Sequence, residues 1–207
     1  MAAKKARLLD RFAQLGLVAA QEAVQSAGLE RSQELGQRTG VFTGSALGGQ
    51  QTEDEAFAEL YRRQRTRVHP LAIPRIMANA LASHISIAYG ITGPAFTLST
   101  ACSSANHAIG QAFWMIRNGV IDAALAGGSE APFSFGNLKA WEAMRVVSAD
   151  TCRPFSKFRD GIVLGEGAAM LVLECRDLAV SRGAQIYGEI RVPKQERRGH
   201  EYPGKCQ

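Results

Sequence analysis

Residues 97–107 read Thr-Leu-Ser-Thr-Ala-Cys-Ser-Ser-Ala-Asn-His and join an apolar run to a run with helical spacing. The apolar run 94–100 predicts a strand, and residues 103–118, closed by Gly119, predict a helix. Cys102 stands between them among small and hydroxylated neighbours. A strand, a sharp turn, a nucleophilic side chain and a helix follow one another in a nucleophile elbow. The segment therefore predicts an α/β fold and a reactive cysteine within it.

Cys102 has two interpretations at this point. If the helix begins at Ser103, Cys102 lies at the helix N-terminus, where unpaired N–H groups and the macrodipole favour a thiolate. Those N–H groups would also stabilise the oxyanion that forms when a thiolate attacks a thioester, so acyl transfer suits the site. Alternatively, Cys102 is a buried packing residue at a tight corner, as free cysteine often is. His107 lies more than one helical turn away and is a poor candidate for an activating base.

The rest of the chain alternates between apolar strands and helices, which is typical of a layered α/β domain. Strands are predicted at 39–45, 120–128, 166–174 and 184–190. Helices are predicted at 4–27, at 52–64 with Thr52 as the cap, and at 74–89, 135–146 and 175–183.

Composition limits the classes of function. The 207 residues are 46% hydrophobic with a net charge of +5, which suits a packed, moderately basic domain. The arginine-rich run 62–67 has no interleaved aromatic residues, so we expect a solvated surface and no nucleic-acid partner. The glycine-rich segments 44–49 and 126–130 match no nucleotide-binding motif and are interpreted as turns where backbones approach closely. Glu130 and Glu166 near such turns are either structural carboxylates or acids.

The four cysteines and the ends of the chain carry further expectations. No C-x-x-C pair is present, so no zinc site is indicated. We predict no metal site and no cofactor. No apolar run approaches the about 20 residues of a membrane span, and the N-terminus has no apolar signal core. These patterns favour a cytoplasmic protein. Residues 1–190 are interpreted as one domain, and 191–207, rich in charge, Gly and Pro, as a divergent basic tail that is disordered.

Four segments in this order closely resemble the β-ketoacyl–acyl carrier protein synthases, the type II condensing enzymes of fatty acid synthesis in particular. They are STACSSANHAIG (99–110), AGGSEA (126–131), AMRVVS (143–148) and RPFSKFRDGIVLGEGAAMLVLE (153–174). The resemblance spans residues 4–190. It implies a partial thiolase-like fold, mainly the N-terminal half of a layered αβαβα enzyme that works as a homodimer. A nodulation-type or polyketide-type ketosynthase is the near alternative.

The resemblance implies a reaction at Cys102. This cysteine would take an acyl chain from acyl carrier protein as a thioester, and its backbone N–H would form half of the oxyanion hole. Malonyl-loaded carrier protein would then lose CO₂, and the resulting carbanion would attack the thioester to give a 3-ketoacyl chain two carbons longer.

Further positions match family positions one by one. Leu47, Trp141 and Ala72 match residues of the acyl pocket, with Ala72 at a position that reaches the partner subunit's pocket. Three cations match residues that receive the acidic carrier protein: Lys4, Arg7 and Arg145. The strand 94–100 resembles the one that pairs across the dimer axis.

The sequence also departs from the family pattern. The family's first strand, its two histidine motifs, its lysine and its Gly-Phe-Gly oxyanion loop have no counterpart here. We therefore expect a chain truncated at both ends, which accepts an acyl group at Cys102 at most and does not elongate it. The open alternatives are a non-catalytic half-domain that docks carrier protein, and an acyltransferase of the same fold that uses coenzyme A thioesters.

Overall fold

The protein is described here by a computed structural model that covers residues 8–29 and 36–191. Its four strands form one mixed sheet in the order β2-β1-β3-β4. β1 runs parallel to both of its neighbours, β2 and β3, whereas β4 is antiparallel to β3. The strands are β1 (Thr39–Gly44), β2 (Ala95–Leu98), β3 (Ala123–Glu130) and β4 (Gly167–Glu174).

Helices cover both faces of this sheet. α1 and α4 pack on one face and α5 packs on the other, which confirms the predicted layered α/β architecture. The helices are α1 (Arg11–Ser26), α2 (Gln50–Tyr61), α3 (Ala72–Ile76), α4 (Ala80–Tyr89), α5 (Ser104–Arg117), α6 (Phe135–Ala143) and α7 (Arg176–Ser181). None of the helices within the described ranges is long and apolar enough to cross a membrane.

The central strand β1 divides the core into two clusters. Every residue of β1 is buried, as expected for a parallel strand covered on both faces. Val41 points into the cluster under α1 and α4, where Phe12 and Leu81 are fully buried. Phe42 points into the cluster under α5, which is lined mostly by alanine. Small side chains there allow α5 to lie close to the sheet, and this fixes the position of its N-terminus.

A buried carboxylate anchors the start of α1. Asp10 is 1% exposed, and its Oδ1 accepts a hydrogen bond from the N–H of Phe12 at 3.2 Å. Its Oδ2 accepts from the N–H of Thr52 at 2.8 Å, so the same side chain ties α1 to the first turn of α2. A buried charge is tolerated only when it is hydrogen-bonded in this way.

Two helix starts differ from the prediction. The helix predicted at 4–27 begins at Arg11, because Asp10 provides the cap, and residues 4–7 lie outside the described ranges. The helix predicted to begin at Thr52 begins at Gln50 with Gly49 as the N-cap, so the assignment of Thr52 as the cap is wrong.

Two further assignments are wrong, because one predicted helix is divided in two and one predicted strand does not form. The helix predicted at 74–89 is two helices, α3 and α4, because Met77 adopts an extended ψ of 131° between them. The strand predicted at 184–190 has no strand partner in the described part of the chain. Tyr187 in that segment instead contacts Ser26 at the end of α1, with 3.2 Å between the two hydroxyl oxygens. The predicted tail from residue 192 onward lies outside the described residues.

Replacing Asp10 by alanine should destabilise the domain. The change leaves the buried N–H groups of Phe12 and Thr52 without an acceptor, so the free energy of unfolding should fall by about 2–4 kcal/mol. Asp10→Asn keeps one acceptor oxygen and should lose about half as much. Urea unfolding followed by circular dichroism measures both, and an Asp10→Ala protein as stable as the parent would contradict the anchoring role.

Candidate active site

Residues 99–103, between β2 and α5, make the sharp turn that the sequence predicts, and this segment is called the elbow below. β2 ends at Leu98 and α5 begins at Ser104. Ala101 has a positive φ of 52°, which costs energy for a residue with a Cβ atom and occurs mainly where the surroundings enforce it. Cys102 follows directly, and Ser103 is the N-cap of α5. The turn thus presents Cys102 just before the helix.

Two serine hydroxyls hold this turn in place. The Oγ of Ser104 donates to the carbonyl of Ala101 at 2.7 Å and accepts from the N–H of Thr100 at 2.9 Å. The Oγ of Ser103 donates to the carbonyl of Thr100 at 2.8 Å. The N–H groups of Ser103 and Ser104 donate to the same two carbonyls, at 3.2 and 3.1 Å. These hydrogen bonds offset the strain at Ala101.

Cys102 itself is exposed, with a free thiol. The interpretation of Cys102 as a buried packing residue is therefore wrong. The backbone of Cys102 takes part in an isolated β-bridge with Thr100, and the N–H groups of Ser103 and Ser104 donate within the turn.

A pair of glycines sets the height of the elbow above the sheet. Gly44 and Gly128 are register partners at the carboxyl ends of β1 and β3. A Cβ atom on Gly44 would lie 2.4 Å from the backbone N of Ala105, and one on Gly128 would lie 2.7 Å from the Cβ of Ala105. The first turn of α5 therefore sits directly on glycine, which confirms the predicted close approach of backbones at these two segments. The interpretation of 126–130 as a turn is wrong, because these residues belong to β3.

The loop 45–49 runs beside the elbow. The N–H of Ser45 donates to the carbonyl of Leu98 at 3.3 Å, which ties the loop to the strand that leads to Cys102. Glu130, at the end of β3, accepts from the N–H of Ala46 at 2.6 Å. The sequence left Glu130 open between a structural carboxylate and an acid, and these contacts show a structural role in the loop.

Two of the predicted pocket residues lie in this neighbourhood. Leu47 belongs to the loop and is 37% exposed. The loop ends at Gly49, whose N–H donates to the carbonyl of Ile76 in α3 at 3.0 Å. Ala72, the first residue of α3, is only 3% exposed. The structure thus brings Leu47 and the helix of Ala72 to one side of the elbow, and their roles in an acyl pocket stay predictions.

Trp141 lies on α6, and Arg145 follows that helix. α6 packs against α2, where the carboxylate of Asp54 accepts from the N–H of Gly136 at 2.9 Å. The two helices border a groove of about 460 Å³. Trp141 is half-buried and Arg145 is exposed, and no hydrogen bond of either side chain to the elbow exists within the described ranges. Lys4 and Arg7 lie outside these ranges.

The ionisable groups with shifted pKa values are remote from the elbow. A hydrogen bond from Arg38 lowers the pKa of Asp122, at the start of β3. Glu166 accepts two hydrogen bonds from Arg11, and this ion pair raises the pKa of that arginine. No cluster of potential metal ligands occurs in the described part of the chain.

Known proteins of similar sequence indicate the family of this chain. The family model for the β-ketoacyl synthase N-terminal domain matches residues 1–179. Nodulation protein E of Rhizobium sp. (strain N33) is 45% identical over 182 residues, which cover 88% of this chain and 45% of that protein. 3-Oxoacyl-[acyl-carrier-protein] synthase 2 of Staphylococcus aureus is 39% identical over 192 residues, which cover 90% and 48%. The chain spans about half the length of the curated relatives it matches.

A solved structure matches the fold. It is a type II polyketide ketosynthase bound to a hexaketide, in complex with its acyl carrier protein. The superposition has a TM-score of 0.79 at 32% sequence identity, and it covers 86% of this chain and 46% of that one.

Adding a methyl group at Gly44 should disturb the elbow. The new Cβ atom of Gly44→Ala would overlap the backbone of Ser104 and Ala105, so the start of α5 must move. We expect the free energy of unfolding to fall by about 1–3 kcal/mol. The rate of alkylation of Cys102 by iodoacetamide should also fall relative to that of exposed Cys152, as peptide mass spectrometry measures.

The matched control is Gly110→Ala in α5, the helix whose first turn rests on Gly44. A Cβ atom there meets nothing within 4 Å, so both the stability and the alkylation ratio should be kept or improved. Equal alkylation ratios in Gly44→Ala and the parent would show that the glycine contact does not position Cys102.

Proposed function

Because the chain belongs to the β-ketoacyl synthase family and has the thiolase-like fold of ketosynthases, we propose that Cys102 is the nucleophile of a decarboxylative condensing reaction. The observation that carries this proposal is the exposed free thiol of Cys102 on a strained turn directly before α5. A nucleophile that is held clear of its neighbours in this way suits covalent acyl transfer.

The first half-reaction is acyl transfer. The Sγ of Cys102 attacks the thioester carbonyl of an acyl-loaded carrier protein. The carrier protein's thiol leaves and takes the proton, and the acyl group remains on Cys102 as a thioester. By the family resemblance, the backbone N–H of Cys102 donates to the carbonyl oxygen as it becomes negative.

The second half-reaction is condensation. Malonyl-loaded carrier protein loses CO₂, and the carbanion so formed attacks the carbonyl of the thioester on Cys102. The bond to sulfur breaks, the thiolate of Cys102 is restored and a 3-ketoacyl carrier protein leaves.

The proposed partner is an acidic carrier protein. The net charge of +5 and the exposed side chain of Arg145 favour an acidic protein surface. Lys4 and Arg7 match the same group of cations in the family. A ketosynthase of similar fold has been solved with its acyl carrier protein bound, which supports this class of partner.

Two observations bear on the acyl substrate. Leu47, Ala72 and Trp141 are proposed to line the acyl pocket, and the small side chain of Ala72 would leave space for a long chain. The identity to Nodulation protein E, at 45%, exceeds the 39% to the S. aureus synthase. This favours a specialised acyl chain as a second candidate beside general fatty acid synthesis.

A homodimer through β2 is proposed from the family resemblance. β2 is an edge strand of the sheet, and Phe96 on it is 38% exposed. An exposed apolar edge strand is suited to pairing with a second copy.

Acylation of Cys102 tests the first half-reaction. After incubation with palmitoyl-loaded carrier protein, the peptide that contains Cys102 should gain the mass of one palmitoyl group. Exposed Cys152 serves as the internal control and should stay unmodified, and Cys102→Ala should abolish the gain. Equal modification of both cysteines, or none at Cys102, would refute the proposal.

Elongation by this 207-residue chain alone is not expected. The family's two histidine motifs and its Gly-Phe-Gly oxyanion loop have no counterpart among the 207 residues, and the loss of a single oxyanion donor costs about 10²–10³ in rate. With acyl- and malonyl-loaded carrier proteins, mass spectrometry should detect no 3-ketoacyl product above a Cys102→Ala blank. Product above that blank would show that the chain carries the complete machinery.

A further inference from the structure

We propose that Glu130 is a positioning residue that sets the acyl-chain length accepted at Cys102 by holding the loop 45–49 in place. The inference rests on the proposed acylation of Cys102 and assigns a new role to a residue on another strand. Glu130 ends β3, and its carboxylate reaches back across β1 to the loop that follows that strand.

Both carboxylate oxygens of Glu130 are engaged by the loop. The Oε2 accepts from the N–H of Ala46 at 2.6 Å, and the Oε1 accepts from the Oγ of Ser45 at 3.3 Å. The Oγ of Ser45 in turn accepts from the N–H of Gly48 at 2.9 Å. One carboxylate therefore fixes the loop on both sides of Leu47, directly at Ala46 and through Ser45 at Gly48.

The hydrogen bonds of this arrangement differ in burial. Ser45 is 2% exposed and Glu130 is half-buried, so the bond between them is partly shielded from water, whereas the bond from Ala46 is exposed. Hydrogen bonds to a charged acceptor are about twice as strong as those between neutral groups. A carboxylate whose two oxygens are both occupied in this way acts as a fixed acceptor for the loop.

The loop held by Glu130 adjoins the elbow. The N–H of Ser45 donates to the carbonyl of Leu98, and the Oγ of Ser99 donates to the carbonyl of Ala46 at 3.5 Å. Leu98 and Ser99 lead directly to Cys102. The loop that carries Leu47 is thus tied to the segment that leads to Cys102, and Leu47 is proposed to limit from there how far an acyl chain extends.

Loss of the carboxylate should loosen the loop without unfolding the domain. The far end of the loop has an anchor of its own, because the N–H of Gly49 donates to the carbonyl of Ile76. Removal of Glu130 leaves that hydrogen bond intact and frees only residues 45–48. A freer Leu47 would admit longer chains more readily, so the change should appear in selectivity.

The test compares two acyl donors in one assay. Octanoyl- and palmitoyl-loaded carrier proteins compete for the parent and for Glu130→Ala, and mass spectrometry measures the rate of acylation of Cys102 by each. Glu130→Ala should raise the palmitoyl-to-octanoyl ratio about threefold to tenfold. Glu130→Gln keeps an acceptor oxygen, so its palmitoyl-to-octanoyl ratio should lie between the ratios of the parent and of Glu130→Ala. A merely structural role would slow both donors equally and leave the ratio unchanged, which would overturn the inference.

Two controls separate this effect from general damage. Glu174→Ala removes another partly buried carboxylate at a strand end, one paired with Arg182 away from the loop, and should leave the ratio unchanged. Ser45→Ala should raise the ratio as Glu130→Ala does. The double variant should show no further increase, because both side chains act through the same network.

Amide hydrogen exchange keeps the inference separate from the proposed function. In Glu130→Ala the amides of Ala46 and Gly48 should exchange faster, while that of Gly49 is unchanged. Faster exchange with an unchanged donor ratio would show that the loop does not set chain length. If neither donor acylates Cys102 of the parent, the proposed function fails and the selectivity role fails with it. Unchanged exchange in the variant would refute the holding role alone.

Discussion

The first turn of α5 rests on two glycines, and the rest of the candidate site depends on this contact. Gly44 and Gly128 leave no side chain between the ends of β1 and β3 and the backbone of Ser104 and Ala105. The first turn of the helix therefore packs against the backbone of the sheet with no side chain between them. The chain must then turn sharply to reach it, and the turn presents Cys102 to solvent while Ser104 is buried beneath it.

Most of the sheet could be predicted from the sequence, because its strands are continuous apolar runs. β1, β3 and β4 are apolar runs between glycines and charges, and each was predicted within three residues of its observed bounds. The pattern failed at 184–190, because an apolar alternation cannot show whether a partner strand lies alongside. It also failed at Met77, where one extended residue divides a helical pattern in two.

The nucleophile of the candidate site could be predicted from the sequence, but the residues that support it could not. Cys102 was identified because strand, turn, cysteine and helix are adjacent in the sequence. Its exposure depends on packing and could not be read from that pattern. The role of Glu130 was hidden, since Ala46, the residue it holds, lies 84 positions away. Asp10 and Thr52, 42 positions apart, were hidden for the same reason. Local patterns reveal the nucleophile, whereas its supports arise from contacts between distant segments.

The electrostatics of the elbow bear on which half of the reaction it can support. The proposed acyl transfer develops negative charge on one oxygen beside the exposed thiol of Cys102, which directly precedes the N-cap of α5. In the proposed condensation, decarboxylation develops charge on a second thioester, whose carbanion then attacks the thioester on Cys102. Asp122 is paired with Arg38 and Arg11 is paired with Glu166, and none of these four residues belongs to the segment around Cys102. The exposed thiol and the helix start that follows it therefore suit the proposed loading of an acyl chain.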